Sequence, residues 1–236
     1  QRSLVGSEMC IRDRIYYLPH QPERERPLLA CIHGERRSLA IDAGYSKRHV
    51  EEFYAGLDEL GFRHPDFTAL THWHCDHTFG LHAIDGVAIA CKNSNRRINE
   101  HRLMSLNEGY REYMISRDHY FGLEYPEGEP IIVQPAPIEY DGSLSIDLGG
   151  VSVRLFPTVA PHSSDCILAL IPEERVLFLG DAIYGDPDEG WSFDSKRIKG
   201  LIDTLEATSF DTCLASHANP HTKASMLRYL YRKMKG

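Results

Sequence analysis

The chain has 236 residues, 42% of them hydrophobic and 25% charged, with a formal net charge of −8. That composition suits a water-soluble globular chain long enough to bury a full core, and its acidity disfavours nucleic acid as a partner. No apolar run reaches the length of a membrane span, and no cationic start followed by an apolar stretch marks a secretory signal, so a cytoplasmic location with no membrane partner is expected.

Residues 1–14 fit neither helix nor strand periodicity. They resemble translated sequencing-adapter sequence and read as a non-native or poorly ordered leader. A single domain is expected over 15–236. A strand is expected at 15–18, then a hairpin at 27–33 and 38–42 around the polar turn Gly34-Glu35-Arg36-Arg37. Ser46 caps a helix running to about Leu60, with Val50, Phe53, Tyr54, Leu57 and Leu60 on one face and Gly61 as its stop. Strands follow at 67–70 and 87–91. Residues 92–130 are polar and helical, and form either a lid over a substrate or a packed insert. Further strands are expected at 131–133, 143–147, 151–156, 166–171, 175–179 and 212–215. Asp194 or Ser195 caps a helix carrying Ile198, Leu201, Ile202 and Leu205 at helical spacing. A last helix at about 222–234 is expected to bury Leu227, Leu230, Tyr231 and Met234. The two similar sets of elements, 15–91 and 131–236, suggest two mixed sheets packed face to face with helices outside, a four-layer α/β sandwich.

Three histidines and an aspartate fall within six positions in Thr71-His72-Trp73-His74-Cys75-Asp76-His77, directly after an expected strand. Imidazole and carboxylate are the ligands that zinc and similar metals prefer. Asp42, His162, Asp181 and His217 also stand where expected strands run out. Burying so many such groups without a cation would cost several kcal/mol each, so a metal site is the better reading. The six cysteines form no C-x-x-C pair and read as free thiols; Cys75, inside the run, should point away from the ligands.

These residues resemble the metallo-β-lactamase superfamily of αβ/βα hydrolases over about 15–236. The resemblance rests on Ile41-Asp42-Ala43-Gly44, the run 72–77, Ala160-Pro161-His162-Ser163, Leu179-Gly180-Asp181 and His217. It implies two divalent metals, with zinc first and manganese or iron as alternatives. His72, His74 and His162 would hold one, Asp76, His77 and His217 the other, and Asp181 would bridge them. Asp42 would orient a ligand or simply start a turn. Asp181 makes the chain look like the hydroxyacylglutathione hydrolase and lactonase branches, since zinc β-lactamases lack a bridging aspartate. Tyr184 resembles a lactonase tyrosine that contacts the substrate carbonyl, or is a packing residue.

The implied activity is metal-assisted hydrolysis of a small-molecule ester, thioester or lactone, with Asp76 orienting the attacking water. A mononuclear iron persulfide dioxygenase and a metal-dependent phosphodiesterase share parts of the motif set, and a non-enzymatic metal module would need fewer ligands. The cavity should be shaped by the 92–130 insert, the 184–193 loop and the 219–221 loop. His82, His101, His119 and His221 read as solvated surface histidines, with His82 and His119 placed so that they could reach the site.

Overall fold

Alternation along the strands decides which layer each residue joins. In a computed structural model, which describes residues 10, 11 and 13–235, the first sheet has seven strands in sequential order. They are β1 (Cys10–Ile11), β2 (Ile15–Leu18), β3 (Leu29–His33), β4 (Ser38–Ile41), β5 (Phe67–Ala69), β6 (Val87–Cys91) and β7 (Ile138–Tyr140). β1 to β4 pair antiparallel and β4 to β7 parallel.

The second sheet has the order β13-β12-β11-β10-β9-β8. Its strands are β8 (Leu144–Asp147), β9 (Ser152–Pro157), β10 (Ile167–Ile171), β11 (Val176–Gly180), β12 (Thr212–Ala215) and β13 (His221–Thr222). Only β11 and β12 are parallel.

The faces sort as period two requires. Ala30, Ile32, Leu39 and Ile41 of the first sheet pack against Val153, Leu155, Ile167, Ala169 and Phe178 of the second, forming the inner core. The alternate residues Leu29, Cys31 and Ala40 face outward onto Val50, Phe53 and Leu57 of α1 (Lys47–Glu59). On the far side, Leu168, Leu170, Leu177 and Leu179 pack under Ile198, Leu201, Ile202 and Leu205 of a helix at Ser195–Ala207 and under Met226 and Leu230 of a terminal helix at Lys223–Lys235. The arrangement is the expected four-layer α/β sandwich. Asp194 caps the Ser195–Ala207 helix, its side chain accepting from the amides of Lys196 and Arg197.

Within the expected leader, Cys10–Ile11 pairs with Ile15 and Tyr16; residues 1–9 and 12 lie outside the described residues. Other expectations are corrected. The apolar run 131–133 is not a strand. It lies between Pro130 and Pro135, which cannot donate to a ladder, and Ile138–Tyr140 pairs with β6 in its place. The side chain of Asn95 bonds both backbone groups of Ala136, standing in for a neighbouring strand. That strand belongs to the first sheet, so the second begins at Leu144 rather than at 131. In the last helix Tyr231 is exposed and donates to Glu206, while Met226 takes the buried position.

The insert contains α3 (Lys92–Met104), α4 (Tyr110–Arg117) and α5 (Phe121–Glu124), counting as α2 the short turn Cys75–Thr78 inside the histidine run. Its aromatics pack: Tyr110, Phe121 and Tyr125 are buried with Tyr45 and Phe79. A buried ion pair pins it as well. Arg26 donates from Nε and Nη2 to the two oxygens of Glu124, both at 2.9 Å, and Ser46 Oγ donates to the same carboxylate. Loss of one partner of such a pair costs about 3–5 kcal/mol. The insert is therefore anchored to the N-terminus of α1, not loosely draped.

Candidate metal centre and its cavity

Every proposed ligand sits at or beyond the end of a strand. β4 delivers Asp42, β5 delivers the run 72–77, β9 leads to His162, β11 to Asp181 and β12 to His217. Two close approaches fix the strand ends against each other. The Ile167 amide donates to the Thr71 carbonyl at 2.8 Å, joining the sheets at the run. Gly180 has φ 53°, and a Cβ there would stand 2.7 Å from the Thr71 side chain, so only glycine lets Asp181 approach this closely.

The structure brings all seven residues into two adjoining clusters, His72 with His74 and His162, and Asp76 with His77, Asp181 and His217. In each, the candidate ligand atoms lie within 4.8 Å of one another. Hydrogen bonding on the outer side of two of the three rings in the first cluster sets their tautomers. Thr71 Oγ1 donates to Asp42 Oδ2 at 2.8 Å and so accepts from His72 Nδ1 at 3.1 Å. His162 Nδ1 donates to the Gly185 carbonyl at 2.9 Å. Both Nε2 lone pairs are left facing His74 Nδ1, at 3.1 Å from His72 and 2.9 Å from His162. Two lone pairs aimed at one ring nitrogen in a buried site are what a cation resolves.

The second cluster repeats the pattern. His77 Nδ1 donates to Asp42 Oδ2 at 2.8 Å. Its buried Nε2 has no hydrogen-bond partner and faces Asp76 Oδ2 at 3.2 Å and Asp181 Oδ2 at 3.5 Å. Asp181 Oδ2 also lies 3.4 Å from both His162 Nε2 and His217 Nε2, so one oxygen touches both clusters. Asp42 stands behind them. It accepts from the Thr71 amide at 2.7 Å, is buried, and holds φ 63°, a conformation uncommon outside glycine. It orients His77 directly and His72 through Thr71, the orienting role expected of it rather than that of a simple turn residue.

The electrostatics favour positive charge. Burial lowers His72 far below its ordinary pKa, and burial together with His162 lowers His74 to about 3. Burial pulls against ionisation of Asp76 and Asp181, yet the neighbouring histidines outweigh it and hold both well below the carboxylate range. Burial likewise opposes charge on His77 and His217, but the carboxylates prevail and raise both, His217 to about 10. The donor set fits divalent metal binding better than a proton network, because it offers five imidazoles and two carboxylates, with the outer nitrogens of His72, His77 and His162 already committed.

A cavity of about 560 Å³ opens over this floor. His74, Asp76, His162, Asp181, Tyr184 and His217 line its base. The insert lines one side with Arg97, His101, Met104, Tyr113, Asp118, His119 and Tyr120, and the 184–193 loop another with Pro187, Asp188 and Trp191. Residues 219–221 line none of it; His221 is exposed and Thr222 beside it pairs with Thr212. His82 lies outside the lining, bonded to the Phe79 carbonyl. His101 is no surface residue: it is buried, hydrogen-bonded to Tyr110 and tilted against Trp73. His119 does reach the cavity. Cys75 lines it too but joins neither cluster, and the other described thiols are also free.

Tyr184 has a buried hydroxyl with no well-formed hydrogen bond, and burial raises its pKa with help from Asp181. Sequence reasoning missed Glu25, Trp73 and Trp191. Glu25 Oε1 stands 4.0 Å from His217 Nδ1, and burial raises its pKa. Trp73 lies inside the histidine run, at a position the ligand pattern leaves open, while Glu25 and Trp191 lie in no motif, so no local pattern announces them.

Fold and clusters together define a metal-binding α/β sandwich protein. The chain belongs to the metallo-beta-lactamase superfamily, whose family model matches residues 31–224. It is similar to the human (Homo sapiens) acyl-coenzyme A thioesterase MBLAC2, at 25% identity over 216 residues, 87% of this chain and 73% of that protein. Among solved structures it resembles a metallo-beta-lactamase from Pontibacter korlensis, with TM-score 0.66 and 14% identity, over 96% of this chain and 97% of that one. It also resembles the sec-alkylsulfatase Pisa1 from Pseudomonas sp., with TM-score 0.69 and 15% identity, over 95% of this chain but 40% of that one. Those two likenesses are likenesses of fold. No described helix is long and apolar enough to cross a membrane.

Proposed function

We propose that the chain is a dinuclear-metal hydrolase of a small acyl ester, thioester or lactone, with acyl thioesters the foremost class. The observation that carries this reading is Asp181, whose Oδ2 lies 3.4 Å from an imidazole nitrogen of each cluster and can bridge them. The similarity to a human acyl-coenzyme A thioesterase supports the thioester class.

His72, His74 and His162 would hold one cation, Asp76, His77 and His217 the other, with Asp181 between. Zinc suits the donors best, and manganese or iron would also fit. When bound, two such cations polarise a carbonyl and bring the pKa of water down toward ~7. The chain's own residues do the rest. Asp76 is less deeply covered than Asp181, its side chain 15% exposed against 6%, so it is the carboxylate that can orient the attacking water. Tyr184, kept protonated by burial, has a free hydroxyl to donate to the developing oxyanion. Asp42 and the Gly185 carbonyl hold His77 and His162 in the tautomers that present Nε2 to the site. The substrate is a small molecule; neither nucleic acid nor membrane enters this reading.

A panel of acyl thioesters, esters, lactones and phosphodiesters, run with zinc or manganese supplied, tests the proposal. Turnover of an acyl class with none of the phosphodiesters is expected. Cleavage of phosphodiesters alone would replace it with a phosphodiesterase, and a single iron per chain with persulfide oxidation would replace it with a dioxygenase.

A further inference from the structure

Trp191 combines three properties that do not usually occur together. Its φ is 62°, a left-handed conformation that a bulky side chain rarely adopts. It is 60% exposed, although it is one of the largest apolar side chains in the protein. Its ring nevertheless lines the cavity, 6.4 Å from the ring of His162. Packing does not account for a strained and exposed tryptophan, whereas contact with a ligand would.

The loop is built to present it. Asp186 and Ser192 pair across the loop, and the Trp191 amide donates to the Asp186 carbonyl at 2.7 Å. Gly185 lets the returning chain close, since a Cβ there would stand 2.2 Å from the Trp191 carbonyl oxygen. The Gly185 carbonyl holds His162 Nδ1. One short loop thus fixes a floor histidine at one end and an aromatic wall at the other.

The chemistry around it selects an apolar group. The two arginines that line the cavity among the described residues are already engaged. Arg97 stacks on Trp73 at 4.5 Å and pairs with Glu100 at 3.4 Å, and Arg117 pairs with Asp188. The remaining charges of the lining include the carboxylates of Glu25 and Asp118, which disfavour an anionic tail. Both tryptophans of the chain line this one cavity.

We propose that Trp191 is a specificity-determining residue, the wall that receives the apolar acyl chain of the substrate and sets the preferred chain length. The proposal rests on the acyl-hydrolase reading for its substrate, but its binding test does not. Straight-chain acyl thioesters from acetyl to decanoyl are compared on metal-loaded wild type, Trp191→Ala and Trp191→Leu. Wild-type kcat/KM should rise about fourfold per methylene until the cavity is full. Trp191→Ala should flatten that slope, mainly through KM, and Trp191→Leu should restore most of it. Metal content should match wild type in both variants. Independently of turnover, titration with decanoate and acetate is followed by tryptophan emission, with Trp73 still reporting in the variants. Trp191→Ala should weaken decanoate about tenfold and acetate much less.

Equal losses at every chain length would overturn the proposal, as would decanoate binding that does not change. Loss of metal in both variants, with the slope intact in what activity remains, would make Trp191 a prop for His162 instead. If wild type turns over no acyl substrate, the hydrolase reading falls, and the decanoate titration still decides the role of Trp191.

Discussion

The floor of the cavity and its walls are made differently. The floor residues hang from strand ends between two sheets and are mostly buried, and His77, His72 and His162 have their outer ring atoms committed to Asp42, Thr71 and Gly185. The walls ride on the insert and on the 184–193 loop, and they are held at the rim by exposed groups such as the Arg117–Asp188 pair, 50% and 53% exposed. A buried, over-determined floor suits chemistry that tolerates little displacement. An exposed wall can change without disturbing it, which is how one scaffold serves many substrates.

The largest expected break is at the floor. His162→Ala should empty its cluster and reduce activity to background, because one of three imidazoles is lost from a site that needs all three. Activity and bound metal per chain are the readouts, and full turnover by this variant would end the distinction between floor and wall. Next in size is the pH response of the metal-free protein. His217 has its pKa raised to about 10 in the fold, so its stabilisation is complete below ~6.5 and is lost as pH rises through about 10. Asp76 and Asp181 are depressed, so their share is present above ~3.9 and lost as pH falls further. Urea unfolding with chelator should therefore show a loss on the order of a few kcal/mol between pH 6.5 and 10, much reduced in His217→Gln. An equal loss in both proteins would place the titration elsewhere.

Asp42→Asn tests whether the residue behind the floor belongs to it. Removing a carboxylate that orients a ligand histidine typically costs 10–100-fold in metal affinity, and about that loss is expected by competition with a chelator. Unchanged affinity would reduce Asp42 to a turn residue. The smallest effect is expected at the rim. Asp188→Asn should change stability by about 0–1 kcal/mol and shift KM a few-fold in a salt-dependent way, with metal content untouched. A loss of metal there would show that the wall supports the floor after all.

This division also explains what the sequence reveals. His72, His74, Asp76 and His77 are legible because imidazole and carboxylate groups recur there at close spacing after a strand. His162, Asp181 and His217 are legible because each follows an apolar run that reads as a strand. Four layers follow from the alternation of strands with amphipathic helices such as 47–59 and 195–207. The walls are legible as segments, since 92–130 and 184–193 line the cavity as expected, but their individual residues are not. Trp191 is one residue in a loop rich in glycine and acid, and its approach to His162 depends on the pairing of Asp186 with Ser192. Glu25 reaches His217 from a part of the chain 192 residues away, which no local pattern encodes. The misplaced strand at 131–133 shows the same limit. Val133 and Ile131 pack by the core, but flanking prolines forbid a ladder, and the paired segment Ile138–Tyr140 is partly exposed and carries no alternating signal.

The central claim is that the two clusters each hold a divalent cation across Asp181. Elemental analysis of protein purified without added metal, then again after zinc is supplied and excess removed, tests it most directly. We expect two equivalents per chain in the loaded protein and a clear loss in Asp181→Ala. One equivalent that Asp181→Ala retains, or none even with zinc supplied, would contradict it.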